Sequence, residues 1–309
     1  MSHMTPLPSR KPETVVLFGE VLADIFVDRK VLGGAPFNVA RHLQAFGLRP
    51  VLITRTGNDE LRRELLEAMS EAGMSDQGIQ LDASHPTGQV MVHMDGTRHR
   101  FEILPKQAYD YIHAGLTHLI AMAVRPELVY FGTLAQRSAR SAQALTALIH
   151  SSRAPRLLDI NLREPWYDKS IIELSLKRAN AAKLNQEELG VLASLFRLPG
   201  KNDLQRAGDL IRRFALDSIL VTCGDGGAWL LDNDGKVVHV DGSVAPSLVD
   251  TVGAGDGFSA VYILGLLRNW PTKSTLQRAN AFAAALCEIH GAIPHGSDFY
   301  KPFLKDWKL

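Results

Sequence analysis

The sequence predicts an α/β protein built on one doubly wound, mostly parallel sheet flanked by helices. Three observations carry that prediction. Short, continuously apolar runs of strand length recur along the 309 residues, as in strands covered on both faces. Amphipathic stretches at helical spacing lie between them, the alternation expected of βαβ units. Only Val21 to Leu32 and Gly88 to Ile103 break the alternation.

Taken in order, Val15-Val16-Leu17-Phe18 is the first buried strand, and Val21 to Leu32 leaves it with the extended pattern Ile25-Phe26-Val27. Phe37 to Phe46 reads as a helix, with Pro36 suited to its first turn. Val51-Leu52-Ile53 is a second buried strand. In Leu61 to Ala72, Leu61, Leu65, Leu66, Met69 and Ala72 recur at helical spacing. From Gly88 to Ile103, Val90, Val92 and Met94 alternate with their neighbours, Asp95-Gly96 signals a hairpin turn, and Phe101 and Ile103 follow. Leu128–Phe131, Leu157–Ile160 and Ile219–Thr222 read as further buried strands, and Ala207–Ala215 and Ser274–Cys287 as helices. Phe258 to Leu267 is apolar nearly all round, the mark of a buried helix.

Length allows one or two domains, and residues 13–309 are read as one; residues 1–12 are set apart as a disordered N-terminus or a cloning remnant. With 46% hydrophobic residues the chain has ample material for a core. A net charge of +1 argues against nucleic acid or a membrane surface as partner, and Arg98-His99-Arg100 is too short a basic run to change that. Two cysteines, Cys223 and Cys287, make no disulfide framework and read as buried thiols. No run of 18 apolar residues and no signal-peptide core are present, so a cytoplasmic location is expected.

The most informative stretch is Asp250-Thr251-Val252-Gly253-Ala254-Gly255-Asp256, immediately before the buried helix. A helix start offers unpaired N–H groups and the positive end of the dipole, which together attract an anion. Asp256 would repel that anion as a mere neighbour. It fits if it takes a proton from a nucleophile attacking a phosphoryl group. The alternative is a glycine-rich turn with Asp256 as a helix-start charge. No G-x-x-x-x-G-K-[ST] occurs, which excludes a P-loop, and no G-x-G-x-x-G follows the first strand, which argues against a dinucleotide-dependent oxidoreductase.

The heptapeptide resembles the C-terminal signature of the ribokinase family, the PfkB carbohydrate kinases. Gly33-Gly34-Ala35-Pro36-Phe37-Asn38-Val39-Ala40 resembles that family's N-terminal sugar-binding segment, in the form typical of bacterial fructokinases, about 215 residues upstream. Gly19-Glu20 with Asp24, Asp159-Ile160-Asn161-Leu162-Arg163, Asn185-x-x-Glu188 and Val221-Thr222-Cys223-Gly224-x-x-Gly227 also match. The resemblance spans about Val15 to Ala292.

It implies a ribokinase-like fold with a small β-sheet lid formed by segments at about 21–34 and 87–104. An edge hairpin of the main sheet is the alternative for the second segment. Such lids often mediate a homodimer, although the first segment here is short. The resemblance further implies ATP-dependent phosphorylation of a sugar, with fructose favoured. Ribose, 2-keto-3-deoxygluconate and nucleosides remain as acceptors, and a catalytically silent sugar or nucleotide sensor remains as a different class.

By the same resemblance Asp256 is the base, and the N–H groups of Gly253, Ala254, Gly255 and Asp256 hold the transferring group. Asp24, Asn38 and backbone at Gly33 and Gly34 bind the sugar, though Asn38 also suits an N-cap. Phe101 and Ile103 wall the sugar or pack the lid. Arg163 contacts substrate or phosphoryl, or pairs with Asp159 or Glu164. Asn185 and Glu188 serve nucleotide and water-mediated Mg²⁺, or cap a helix. Thr222, Gly224 and Gly227 form a nucleotide loop or a hairpin turn, and Asn280 and Ala284 lie by the adenine. Asp250, with the Val252 carbonyl, holds a monovalent cation, expected to be K⁺. His295, where the family commonly has serine, weakens that last expectation.

Overall fold

Apolar runs become the strands of a central sheet in the computed structural model, which describes residues 12–95, 98–243, 245 and 247–309. The turn predicted at Asp95-Gly96 runs into residues outside this set, as does the segment 1–11. In chain order the elements are β1 (Thr14–Phe18), β2 (Leu22–Ile25), β3 (Lys30–Gly33), α1 (Ala35–Ala45), β4 (Arg49–Gly57), α2 (Glu60–Glu71), β5 (Ile79–Asp82), β6 (Gly88–Asp95) and β7 (Arg98–Ile103). Then follow α3 (Ala114–Val124), β8 (Leu128–Gly132), α4 (Ala139–Ser151), β9 (Arg156–Asp159), α5 (Lys169–Arg178), β10 (Ala181–Asn185), α6 (Gln186–Phe196), α7 (Asp203–Phe214) and β11 (Ser218–Thr222). The chain ends with β12 (Ala228–Asp232), β13 (Val237–Val240), α8 (Ala254–Leu267), α9 (Thr272–Leu286) and α10 (Lys301–Trp307).

The nine-stranded sheet has the order β13-β12-β11-β10-β9-β8-β1-β4-β5. The strands from β5 to β11 in that order pair in parallel, and β12 and β13 add antiparallel at one edge. Alternate residues of β1 feed two cores. Val16 and Phe18 pack with side chains of α3–α7 on one face, and Val15 and Leu17 with those of α1, α2 and α8–α10 on the other. The chain winds outward from β1 through β4 to β5, then returns to β8 and continues to β11. The reversal between β1 and β8 is the switch point where open α/β sheets place ligands.

β2, β3, β6 and β7 form a separate four-stranded sheet in the order β3-β2-β6-β7, so the second segment is not an edge hairpin of the main sheet. Its first segment, though short, contributes two strands. Other differences from expectation are local. α1 begins at Ala35, two residues earlier than read, because Gly34 at φ 104° caps it. Cys223 and Cys287 are half-buried and not enclosed. Among the described residues no helix is long and apolar enough to cross a membrane.

Candidate active site

The C-terminal ends of β1, β9 and β10 and the first turns of α1 and α8 meet at the switch point. Asp256 lies in the first turn of α8 and Asn38 in that of α1. Asn38 Nδ2 donates to Asp256 Oδ2 at 2.8 Å, joining residues 218 positions apart. Asn38 is therefore not an N-cap; Gly34 holds that position and its carbonyl accepts from Asn38 N at 2.9 Å. Asn38 Oδ1 is buried and carries no partner, an acceptor awaiting a donor such as a sugar hydroxyl. Gly34 is needed where it stands, since a Cβ there would lie 2.8 Å from the Glu20 carbonyl.

Burial pushes the Asp256 carboxyl up to about 6, against the pull of the Asn38 amide and of Lys183 and Arg163. A carboxylate in that range is deprotonated at neutral pH yet a better proton acceptor than an exposed aspartate.

The start of α8 is where the sequence places an anion site. Gly253 caps it with φ 81°, and a Cβ there would meet Ala292 Cβ at 2.3 Å, so only glycine fits this approach. Gly257 N is already bonded to Gly253 O at 2.8 Å. The Ala254 N–H is turned onto the Thr251 carbonyl at 3.3 Å, which removes it from the expected set of anion donors. Gly253, Gly255 and Asp256 keep N–H groups with no partner among the described residues.

Behind this turn lies a buried polar network that sequence reasoning missed. Lys183 Nζ donates to Asp159 Oδ1 at 3.2 Å, Asp159 Oδ2 at 3.0 Å and the Gly255 carbonyl at 3.3 Å. Tyr130 donates to Asp159 Oδ2 at 3.0 Å, and Ser259 Oγ lies 2.9 Å from that same oxygen. A lone lysine inside the apolar strand Ala181–Leu184 was the available signal, because a fully buried lysine needs a partner.

Asp24 lies on β2 of the small sheet, half-buried, with its carboxyl raised to about 6 by burial and restrained by Arg163. Glu20 sits nearby, 5% exposed, and Glu20 Oε2 has no partner. Burial lifts its carboxyl to about 7, Arg163 and Arg137 opposing and Asp256 adding. Arg163 pairs with neither Asp159, which Lys183 holds, nor Glu164. Its exposed side chain makes no hydrogen bond or ion pair among the described residues. Phe101 and Ile103 face the same way as Val92 and Val90 across the small sheet; Phe101 is 52% exposed, while Ile103 packs against the core. Gly33 ends β3 opposite Leu22.

The residues expected to bind nucleotide are more committed to the fold. Asn185 caps α6, its side chain accepting from Glu188 N at 2.8 Å, and Glu188 Oε2 in turn accepts from Asn185 N at 2.8 Å. Glu188 Oε1 accepts from Leu162 N at 2.8 Å. Thr222 ends β11 beside Asn185, and Gly224 and Gly227 make the tight turn into antiparallel β12. Asn280 Nδ2 donates to the Asp241 carbonyl at 3.0 Å, and Ala284 is half-buried on the same helix. Asp250 accepts from Val252 N and Gly291 N, both at 3.0 Å, tying two loops together.

Among the described residues no group of three or more His, Cys, Asp or Glu is placed to hold a metal ion. Both Glu188 oxygens already accept from backbone N–H groups, so Mg²⁺ would have to be held chiefly by nucleotide phosphates and water, with Glu188 acting through water.

The chain matches the family described as pfkB family carbohydrate kinase over residues 12–298. A Pyrococcus horikoshii protein described no further than as a sugar kinase is 28% identical over 255 residues, covering 80% of this chain and 77% of its own. A fructokinase of Salmonella typhimurium is 27% identical over 289 residues, 88% and 91% of the two chains. Among solved structures, a Vibrio cholerae fructokinase double mutant with fructose, ADP and a potassium ion bound superposes with a TM-score of 0.76. It is 22% identical and covers 94% of this chain and 99% of its own.

Proposed function

Because the chain belongs to the pfkB family of carbohydrate kinases, we propose that it phosphorylates a primary hydroxyl of a monosaccharide with ATP, fructose being the favoured acceptor. The observation that carries this is the 2.8 Å bond between Asn38 and Asp256 at a helix start with free N–H groups. Sugar ligand, proton acceptor and phosphoryl site share one point.

Asp24, Asn38 and backbone at Gly33 and Gly34 orient the sugar. Asp256 takes the hydroxyl proton as the oxygen forms its bond to the γ-phosphorus and the bond to the ADP oxygen breaks. The N–H groups of Gly253, Gly255 and Asp256 offset the charge on the transferring group. The small sheet, with Phe101 and Ile103, closes over the sugar and keeps water from competing as acceptor. Asn185, Thr222, Gly224, Gly227, Asn280 and Ala284 line the nucleotide groove. Mg²⁺, when bound, neutralises phosphate charge, with Glu188 nearby through water; Asp250 and the Val252 carbonyl offer a site for K⁺.

ADP release measured with MgATP against a panel of sugars tests the proposal. Saturable turnover on fructose that collapses in Asp256→Asn, with sugar binding kept, is the expected result. Turnover indifferent to Asp256 overturns the mechanism, and sugar binding without any turnover favours a sensor. A second reading keeps the chemistry and changes the acceptor. The unpaired Arg163 guanidinium favours an acceptor with an acidic group such as 2-keto-3-deoxygluconate, and preferential turnover of that sugar would select it.

A further inference from the structure

We propose that Lys183 is a positioning residue for phosphoryl transfer, setting the Gly255–Asp256 peptide so that its N–H faces the transferring group. The proposal rests on the kinase reading above. Lys183 Nζ has three donors, and the structure supplies three acceptors: both Asp159 oxygens at 3.2 and 3.0 Å and the Gly255 carbonyl at 3.3 Å. The carbonyl and N–H of one trans peptide point to opposite sides. A cation holding the Gly255 carbonyl from behind therefore directs the Asp256 N–H toward the open start of α8. A charge-assisted bond on the carbonyl also polarises the peptide and strengthens its N–H as a donor. Ser259 Oγ, 3.0 Å from the same carbonyl and 2.9 Å from Asp159 Oδ2, has one proton and serves one of them.

Stability alone does not account for this pair. Lys183 is 9% and Asp159 2% exposed at the side chain, and burying two charges costs as much as the pair returns, so apolar residues of similar size would hold the strands equally well. The bond to Gly255 is the contact that a pair serving only the core would not need. Asp159 fixes the ammonium, and the ammonium fixes the peptide.

The test compares wild type, Lys183→Met and the doubly neutral Lys183→Met/Asp159→Asn. The double variant removes the uncompensated charge that would unfold the single one. Each is assayed for kcat and KM, and for the gain in ADP affinity when aluminium fluoride is added as a mimic of the transferring group. The expected result is a double variant with a thermal midpoint within about 5 °C of wild type, KM and ADP affinity within about twofold, and kcat and the aluminium fluoride gain each down about tenfold or more. A folded double variant that keeps both kcat and the gain overturns the proposal, as does a wild type with no gain at all. Asp256→Asn run alongside keeps the two readings apart. If turnover depends on Asp256 and not on Lys183, the kinase reading stands and this one falls. If no sugar is turned over but the gain is lost with Lys183, the positioning role stands and the sugar assignment falls.

Discussion

Asp256 and Glu20 are both carboxyls raised by burial, and the two consequences for pH differ in kind. As the proposed base, Asp256, raised to about 6, would have to be deprotonated to act, so kcat/KM is expected to fall about tenfold per pH unit below about 6, which a pH–rate profile checks. Replacing it with Asn costs about a hundredfold to ten-thousandfold in kcat. Asn38→Ala removes the amide that favours the charged form, so the acidic limb of the kcat/KM profile moves to higher pH while KM for sugar rises. Glu20 acts on stability. The fold prefers its neutral form, raised to about 7 from 4.5, so its contribution weakens as pH rises between those values and is constant above. Comparing the unfolding free energies of Glu20→Gln and wild type from pH 5 to pH 8 should reveal that slope, on the order of 3 kcal/mol. The sequence singles out Asp256 and Asn38 by their neighbouring glycines, and Asp24 by its place soon after the first strand. Lys183 was passed over although a lone lysine in an apolar run was a signal, and Glu20 entered only within the Gly19-Glu20 match and without a role, since each draws its role from groups on distant segments.

Glycine at the start of α8 sets how that helix meets the loop at Ala292. Gly253→Ala would force a left-handed residue and a 2.3 Å contact apart, costing about 1 to 3 kcal/mol of stability and more in kcat than in KM. At α6, Glu188→Ala removes the acceptor for both Asn185 N and Leu162 N. A stability loss of about 1 kcal/mol is expected, together with weaker substrate binding, because Leu162 adjoins Arg163. Calorimetric melts and separate KM values for nucleotide and sugar check both variants. Most of the buried strands were legible as apolar runs; β5 and β10 were missed, β10 because Lys183 interrupts it and β5 because Gln80 and Asp82 alternate with its apolar residues. α3 was missed because Leu116, Leu119 and Met122 stay exposed and blur its periodicity. The bounds of α1 and α7 shifted because capping by Gly34 and Asn202 decides the first turn, and packing does not.

Across the whole molecule, the proposed site draws on both sheets, and ligands that bridge them should stabilise the native state by mass action. Fructose and MgATP at about a hundred times their dissociation constants should each add about 2.7 kcal/mol; a thermal melt with no response to either would contradict that. The doubly wound topology was legible because alternation of strand and helix leaves few arrangements. The strand order, the separate small sheet and the network behind α8 were not, because they depend on which distant segments meet. That distance has a consequence for how the chain is made. α8, buried from Gly257 to Gly265, covers the β1 face that α1 also lines, yet it emerges from the ribosome after more than 250 residues. Until then the β1 face bearing Val15 and Leu17 is covered only by α1 and α2, the side of α1 that meets α8 stays open, and the nascent chain presents a sticky surface to its surroundings. A chain stopped at residue 241 should therefore accumulate as aggregate or bound to chaperones, and release of the last helices, not formation of the sheet, should time the appearance of activity during synthesis.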